Sequence, residues 1–494
     1  RQNYGRGHFS AVFDPTPKHT AGFDIEYTER STHMPTLSRT TLGQTQSDSR
    51  YRQHMDGNTL TATANYIWKI DTLGSQFKLI ADYTRYTSDG DNSYHTTTCA
   101  PGTLRDSLYE SATGSVYDIL TADAGLTRKL PHGLTLRAGL RYTRNDMADK
   151  SRYAAQTQGT WLALPEYSYD QHYTEQIGAA YASLEYSAGR WELSAGLRGE
   201  YTSVASQAFG RSYFGLFPNV SVSRALNALR TWLLVAQWSR NIERPAFPAL
   251  NPARIRISDY SWQSGNPSLR PTYIHRFSLT AVWKYRYTLT VGGNLHHDLI
   301  REIAHRDATA PDAVYIRPEN HYTENHWFVA ASVPAKITRW WNLSVNAVGV
   351  MQRIRLNSTD SPATHYLMFA DATCSFTLPA GFFAEAAYRA QSRLYSGNSE
   401  VGPRHTLSAT VKKQLFDKRL TLFCTLSNIT GCDWEFASLT DGMRRTIDTR
   451  QAWSGRLWKV GAAWNFRTGK KFRARTVESA AETQRKRLVK STEQ

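Results

Sequence analysis

Along most of this chain, apolar and polar residues alternate with a period of two. The segment 133–143 carries leucine, alanine or tyrosine at every second position, with threonine, glycine or arginine between them. Because successive side chains of a β-strand point to opposite faces, this pattern predicts strands with one apolar and one polar face. The same alternation recurs at 60–68, 191–202, 287–295, 341–347 and 458–466.

The length of the alternating segments separates two kinds of β-protein. Alternation sustained for about ten residues suits a strand that crosses a membrane, whereas strands of soluble sandwiches average about 5–6 residues. We therefore predict membrane-spanning strands whose charged face lines a lumen and whose apolar face contacts lipid. The predicted lumen-facing residues are Arg137, Arg141, Glu192, Arg198 and Glu200, and the predicted lipid-facing residues are Leu136, Leu140, Leu193 and Leu197.

The connections between these strands alternate in length. Short turns at one rim and long loops at the other are typical of outer-membrane barrels, and aromatic residues form girdles at their interfaces. Short turns are predicted at 15–18, 71–74, 131–133, 188–190, 227–229, 285, 338–339, 379–381 and 417–418. Longer polar segments are predicted at 31–56, 88–114, 147–171, 205–214, 241–271, 301–321, 354–362, 395–402 and 431–449. The tryptophans beside the short turns predict the girdle: Trp68, Trp191, Trp232, Trp283, Trp340 and Trp341.

The pattern gives about nineteen strands, whereas large plugged transporter barrels have about 22. We therefore expect an all-β fold, a large antiparallel transmembrane barrel over residues 1–466 that is incomplete at its N-terminal side. About three strands and a plug would then precede this chain. A basic periplasmic tail is expected at 467–494, where the alternation stops and a disordered extension is favoured over a docking helix.

Composition and charge narrow the choice of partners. The net charge is +17, and nine of the Lys and Arg residues lie in the tail against three glutamates. The other basic residues are spread along the strands without a recognition helix or a stacking platform, which argues against nucleic acid. Phosphates of outer-membrane lipid and lipopolysaccharide are the favoured acidic partners. The mean hydropathy of −0.51 is compatible with a membrane barrel, because its apolar residues are only every second one.

Histidines and cysteines are the residues that most often bind transition metals. Five histidines surround one strand pair, but the adjacent His296 and His297 must point to opposite faces, and no cysteine or carboxylate stands at a zinc-like spacing. Polar loop residues are the favoured interpretation, and we predict no cofactor and no metal site. The other three histidines of this group are His305, His321 and His326. The four cysteines are too scattered in the sequence for a disulfide framework; they are Cys99, Cys374, Cys424 and Cys432.

An enzyme built on the barrel is the rival class. Such a site needs a nucleophile or base held close to a histidine. His365 with Asp371 and His405 with Ser408 are the only tempting local pairs, and His405 and Ser408 face opposite sides of a strand because they are three residues apart. We therefore predict a protein that is not an enzyme. A structural or adhesive barrel is the other alternative.

The most specific motif lies in the segment 241–271. Its prolines fix the backbone, and its large apolar side chains require burial, so we predict a loop that is ordered over the mouth or folded inward and that shapes a ligand vestibule. The vestibule residues are Arg244, Pro245, Asn251, Pro252, Tyr260, Trp262, Gly265, Asn266, Pro267, Leu269 and Pro271.

This motif resembles the outer-membrane β-barrel family of TonB-dependent-receptor-like proteins of the Bacteroidetes type. In that family an Arg-Pro, a Leu-Asn-Pro and a later Gly-Asn-Pro-x-Leu-x-Pro link two mid-barrel strands, although the Phe usual after Leu-Asn-Pro is Ala253 here. The resemblance implies a receptor-transporter in the bacterial outer membrane that takes up an unidentified nutrient through a plugged barrel. It also implies an energy-transducing TonB-type partner, engaged through an upstream segment.

Overall fold

Strands account for almost all of the regular structure, as the alternating sequence requires. The computed structural model describes residues 2–207, 209–252, 254–258, 260–307, 313–431, 434–440, 443–449, 455–466 and 477–488. The first strands are β1 (Gln2–Thr16), β2 (His19–Leu42), β3 (Thr45–Lys69), β4 (Gln76–Ala100), β5 (Thr103–Lys129), β6 (Leu134–Thr157), β7 (Thr160–Ala163), β8 (Tyr169–Ala188), β9 (Trp191–Ser206), β10 (Gly210–Ala225), β11 (Trp232–Glu243), β12 (Ile255–Ser258) and β13 (Ser261–Gln263). The others are β14 (Thr272–Trp283), β15 (Tyr287–Arg306), β16 (Val314–Lys336), β17 (Trp341–Arg355), β18 (Ala363–Leu378), β19 (Phe382–Gln391), β20 (Leu394–Ser396), β21 (Ser399–Val401), β22 (Arg404–Leu415), β23 (Leu420–Ser427), β24 (Trp434–Thr440), β25 (Met443–Thr449) and β26 (Leu457–Trp464).

One large sheet forms the wall of the barrel. In the part of the chain that the structure describes, twenty-two strands belong to it; three of these (β7, β12 and β13) are short strands of the loops, so 19 long strands remain. Each long strand pairs antiparallel with the next long strand along the chain, from β1–β2 to β23–β26. A second sheet of β20, β21, β24 and β25 lies in the loops. The predicted all-β antiparallel barrel is confirmed.

The two faces of the wall follow the predicted alternation. The side chains of Leu136, Leu140, Leu193 and Leu197 are exposed on the outside. On the opposite face, Arg141 pairs with Asp123 of the neighbouring strand, and Glu200 is buried. The girdle tryptophans lie beside the predicted turns. The ring centroids of Trp232 and Trp283, for example, are 5.6 Å apart. A lipid-facing and a lumen-facing surface are thus separated by strand pleating alone.

Several predicted long loops are instead continuations of strands. β2 and β3 stay in register up to the pair Leu42–Thr45, and β4 and β5 up to Ala100–Thr103. The predicted loops at 31–56 and 88–114 are therefore wrong. The residues there are rich in threonine, serine and tyrosine, which favour strands. Above the bilayer the outer face of a strand contacts water instead of lipid, so its residues need not be apolar. Hydropathy alternation thus fades where the membrane ends, although the hydrogen-bonded ladder continues.

The helices are short. They are α1 (Phe247–Leu250), α2 (Glu482–Arg485) and the single 3₁₀ turns at Pro131–Gly133, Pro165–Tyr167, Pro379–Gly381 and Lys486–Leu488. Among the residues described, no helix has the length and apolar character needed to cross a bilayer. Two of the 3₁₀ turns form predicted short connections, with His132 and Ala380 at positive φ.

Candidate functional site

The segment 244–271, named the motif loop here, folds into the barrel. Phe247, Leu250 and Leu269 are almost completely buried. Prolines prevent the loop backbone from forming a long helix or strand. Its apolar side chains are therefore buried by packing against the barrel wall as well as against each other. The wall residues of this cluster come from β5, β6, β8 and β9 and are Tyr117, Ile119, Met147, Tyr173 and Val204.

The two Pro-rich halves of the motif loop contact each other directly. The backbone N–H of Asn266 donates to the Ala249 carbonyl over 2.7 Å. A Cβ placed on Gly265 would lie 2.0 Å from the Asn251 carbonyl oxygen, so only glycine permits this approach. The Asn266 side chain also accepts from the Ser268 N–H over 3.0 Å, which closes a turn. Gly-Asn-Pro and Leu-Asn-Pro therefore form one structural unit.

One side of the motif loop is hydrogen-bonded to β6 and β8. The Asn251 amide donates to the Asp149 carboxylate and also hydrogen-bonds the Tyr169 hydroxyl. Tyr117 donates to Asp149 over 2.9 Å. Asp149 lies above the lipid-facing band of β6, which ends at Tyr142, and its burial raises the pKa of its carboxyl despite these donors.

The other side of the motif loop reaches β16. The Asn266 amide donates to the Pro318 carbonyl over 3.0 Å. Strand β13, which contains Trp262, pairs in parallel with Val314–Ile316, and the Val314 N–H donates to the Tyr260 carbonyl over 2.9 Å. The motif loop therefore spans the lumen between β5–β9 and β16.

Charged side chains meet at the start of the motif loop. Arg244 donates to Glu200 over 2.6 Å and to the Thr202 hydroxyl over 2.9 Å, and its Nε lies 3.8 Å from Glu175. Asn145 donates to Glu175 over 2.8 Å. The side chains of Arg244, Glu175 and Glu200 are at most 9% exposed. Each buried carboxylate is therefore stable only because these hydrogen-bond donors replace water.

Comparison with known proteins identifies the family of this barrel. A family model described as "Outer membrane protein beta-barrel family" matches residues 68–464. The chain belongs to this outer-membrane β-barrel family. The bacterial outer membrane is therefore its location, as predicted.

Solved structures with the same fold are distant in sequence. The ferric-catecholate import receptor Fiu from Escherichia coli K12 has 10% identity and a TM-score of 0.58, and the match covers 94% of this chain and 80% of that one. The ferric yersiniabactin uptake receptor FyuA from Yersinia pestis has 10% identity, a TM-score of 0.52, and coverage of 94% and 79%. At this identity the likeness shows the fold. A search of curated proteins found no match.

The structure brings most predicted vestibule residues of this outer-membrane barrel together. Arg244, Asn251, Gly265, Asn266 and Leu269 make the contacts described above. The Pro245 carbonyl accepts from Arg487, Tyr260 and Trp262 lie on the β16 side, Pro271 is buried, and Pro252 and Pro267 are half-buried. The predicted inward packing is confirmed, whereas contact of these residues with a ligand stays a prediction.

Three of the five histidines, His296, His321 and His326, lie beside the buried Glu324, whereas His305 pairs with Glu319. Glu324 accepts from His326 and Gln352 over 2.8 Å each and from Arg301 over 3.0 Å. The imidazole Nδ1 of His296 lies 2.7 Å from the Glu324 carbonyl oxygen, while His297 is more than half exposed. Within the described residues, no group of three or more possible ligands has metal-binding geometry.

The side chains of the two candidate catalytic pairs have other contacts. The His365 ring stacks on Tyr395 with centroids 3.7 Å apart, and Asp371 pairs with Arg389 over 3.1 Å. The His405 ring lies 6.4 Å from that of Tyr388. Among the described residues Cys424 has no disulfide partner, and Cys432 lies outside them.

Sequence reasoning missed two charged residues of the lumen, Glu175 and Arg487. Glu175 continues the inward alternation of Tyr173 and Ile177, a signal that could have identified it. Arg487 belongs to the segment 477–488, which packs against the inner wall with Ala481 and Arg487 buried. The disordered extension expected from composition is thus wrong for these twelve residues, because wall carboxylates compensate their low apolar content.

Proposed function

We propose that this chain forms the barrel of an outer-membrane receptor that takes up a nutrient ligand by TonB-dependent transport. The observation that carries the proposal is the motif loop, which crosses the lumen and is fixed to both sides of it. An open diffusion pore needs a clear water path, whereas a gated receptor needs a filled lumen with hydrogen-bonded contacts that can rearrange.

The fold comparison supports the same function. Fiu is a ferric-catecholate import receptor and FyuA is a ferric yersiniabactin uptake receptor, and both share the wide antiparallel barrel. For this chain the ligand class stays open among iron chelates, glycans, peptides and vitamins. The TonB-type partner would act through a segment upstream of the barrel, and a plug there would gate the ligand.

Lipopolysaccharide is the proposed partner of the outer surface. Arg353 and Arg355 follow the lipid-facing Met351 on β17 and line a small polar groove together with Thr323 and Asn325. In the part of the chain that the structure describes, neither arginine has a carboxylate partner. Guanidinium groups just above the apolar band suit the phosphates of outer-leaflet lipid.

The test of uptake uses the intact protein in its own bacterium. Deletion of the gene should abolish accumulation of one labelled compound from a panel of ferric chelates, cobalamin, oligosaccharides and peptides. The native gene should restore this accumulation. A protonophore should block it within minutes, since TonB-type partners draw on the proton gradient of the inner membrane.

Two outcomes would contradict the proposal. Uptake that continues in the presence of the protonophore would indicate passive diffusion through an open pore. Unchanged uptake of every compound after deletion, together with loss of a hydrolytic activity that depends on His365 or His405, would favour the enzyme class instead.

A further inference from the structure

Residues 477–488 run along the inner wall from the turn end of β2 to the motif loop. Cγ2 of Val477 lies 3.1 Å from the position that a Cβ on Gly22 would occupy. Glu478 pairs with Lys78 of β4 over 2.6 Å. Gly22 is close to the short turn between β1 and β2, so this segment, named the lumen segment here, begins at the short-turn end of the barrel.

The middle of the lumen segment is held by wall side chains. The Ala480 N–H donates to the Asp82 carboxylate over 2.7 Å, and Ala480 and Ala481 are both buried. Asn145 of β6 donates to the Gln484 side chain over 3.4 Å. The small alanine side chains allow the backbone to approach Asp82, which explains why this part of the segment carries no large residue.

Arg487 anchors the far end of the lumen segment. Its Nη1 donates to Glu175 over 2.5 Å, and its Nε donates to the Pro245 carbonyl over 3.0 Å. The guanidinium carbon lies 4.3 Å from the ring centroid of Phe247. These partners stabilise the buried charge, and among the described residues only Nη2 of Arg487 is left without a hydrogen-bond acceptor. The anchor therefore joins three parts of the molecule, which are the wall, the motif loop and the lumen segment.

We propose that the inner wall carries a binding site for a short arginine-containing peptide, and that residues 477–488 of this chain are its resident ligand. Asp82 accepts a hydrogen bond from the backbone N–H of Ala480, and Glu175 accepts one from the side chain of Arg487, seven residues further along the chain. Because Arg487 also holds Pro245 and Phe247, the bound lumen segment occupies space beside the motif loop and narrows the lumen. This inference goes beyond the proposed uptake function, and it depends on neither the nutrient nor the energy source.

Limited proteolysis of the full chain in lipid nanodiscs tests the docking. Trypsin cleavage after Arg485 is measured by mass spectrometry in the native protein, in Arg487→Gln and in Lys486→Gln. Lys486 is the matched control, because it is adjacent, largely exposed and, among the described residues, paired only with Glu482 of the same segment. We expect cleavage about tenfold faster in Arg487→Gln, because undocking exposes the bond, and a native rate in Lys486→Gln.

A second measurement reports on the lumen itself. In planar bilayers with potassium chloride, Arg487→Gln should conduct more than the native protein, and addition of a synthetic peptide of residues 477–488 should lower that conductance. Native folding of each variant is checked by the heat-dependent mobility shift on gels.

Equal cleavage rates in the native protein and Arg487→Gln would overturn the proposal. So would equal conductance of these two proteins. A failed uptake experiment would leave these results unchanged, so the two proposals can fail separately.

Discussion

Glu200 illustrates how single residues determine the interior of this barrel. Its carboxylate is on the charged face of β9, receives a hydrogen bond from Arg244 and is almost fully removed from water. Glu192 stands eight residues earlier on the same face but is exposed near the short turn. The sequence pattern assigns both residues to the same face. The pattern could not predict that Glu200 is buried and Glu192 exposed, because the burial of Glu200 depends on Arg244, which comes from a loop 44 residues away.

We expect Glu200→Gln to lower the free energy of unfolding by about 3 kcal/mol, since Arg244 would lose its closest charge partner inside the wall. Glu192→Gln, the matched control, should change it by no more than about 0.5 kcal/mol. The measurement is guanidinium unfolding in lipid vesicles, followed by tryptophan fluorescence. Equal stabilities of the two variants would show that the buried ion pair contributes nothing.

At the scale of the strand, the alternation predicted most of the fold. The lipid-facing leucines, the short turns and the number of long strands follow from a period of two, because the membrane imposes an apolar outer face and the lumen a polar one. The same reasoning failed above the membrane, where β4 and β5 continue through polar residues. It also failed for the contact between Gly265 and Asn251, since contacts within an irregular loop leave no periodic signal.

Spin labels on β6 test where the membrane-facing part of a strand ends. Labels at Leu136 and Leu140 should report lipid, and a label at Arg137 should report water, because alternate residues face opposite sides. Labels at Arg144 and Asp146, which point outward above Tyr142, should report water although they share the face of Leu140. Lipid accessibility at Arg144 would mean that the apolar band extends higher than the side-chain pattern indicates.

At the scale of the whole molecule, the motif loop connects parts of the wall that are far apart in the chain. Phe247, Leu250 and Leu269 belong to one buried cluster with residues of β5, β6, β8 and β9, while Asn266 and strand β13 contact β16. A wide barrel has little interior packing of its own, so a segment fixed at both sides supplies apolar contacts that the wall lacks. The sequence identified this segment by its prolines and large apolar residues, but the strands that receive it were not predictable, because they come from distant parts of the chain.

Hydrogen exchange tests whether the motif loop is fixed as a unit. Amides of 247–269 should exchange far more slowly than those of the exposed turn 356–361, since buried contacts must open before exchange occurs. Gly265→Ala should speed exchange throughout 247–269, because the added methyl group would collide with the Asn251 carbonyl, at a cost of about 1–3 kcal/mol. Gly349→Ala is the matched control, since a Cβ there meets no atom within 4 Å. If the exchange rates of 247–269 and 356–361 were equally fast in the native protein, the loop would not be fixed to the wall, and the support for a gated receptor would be lost.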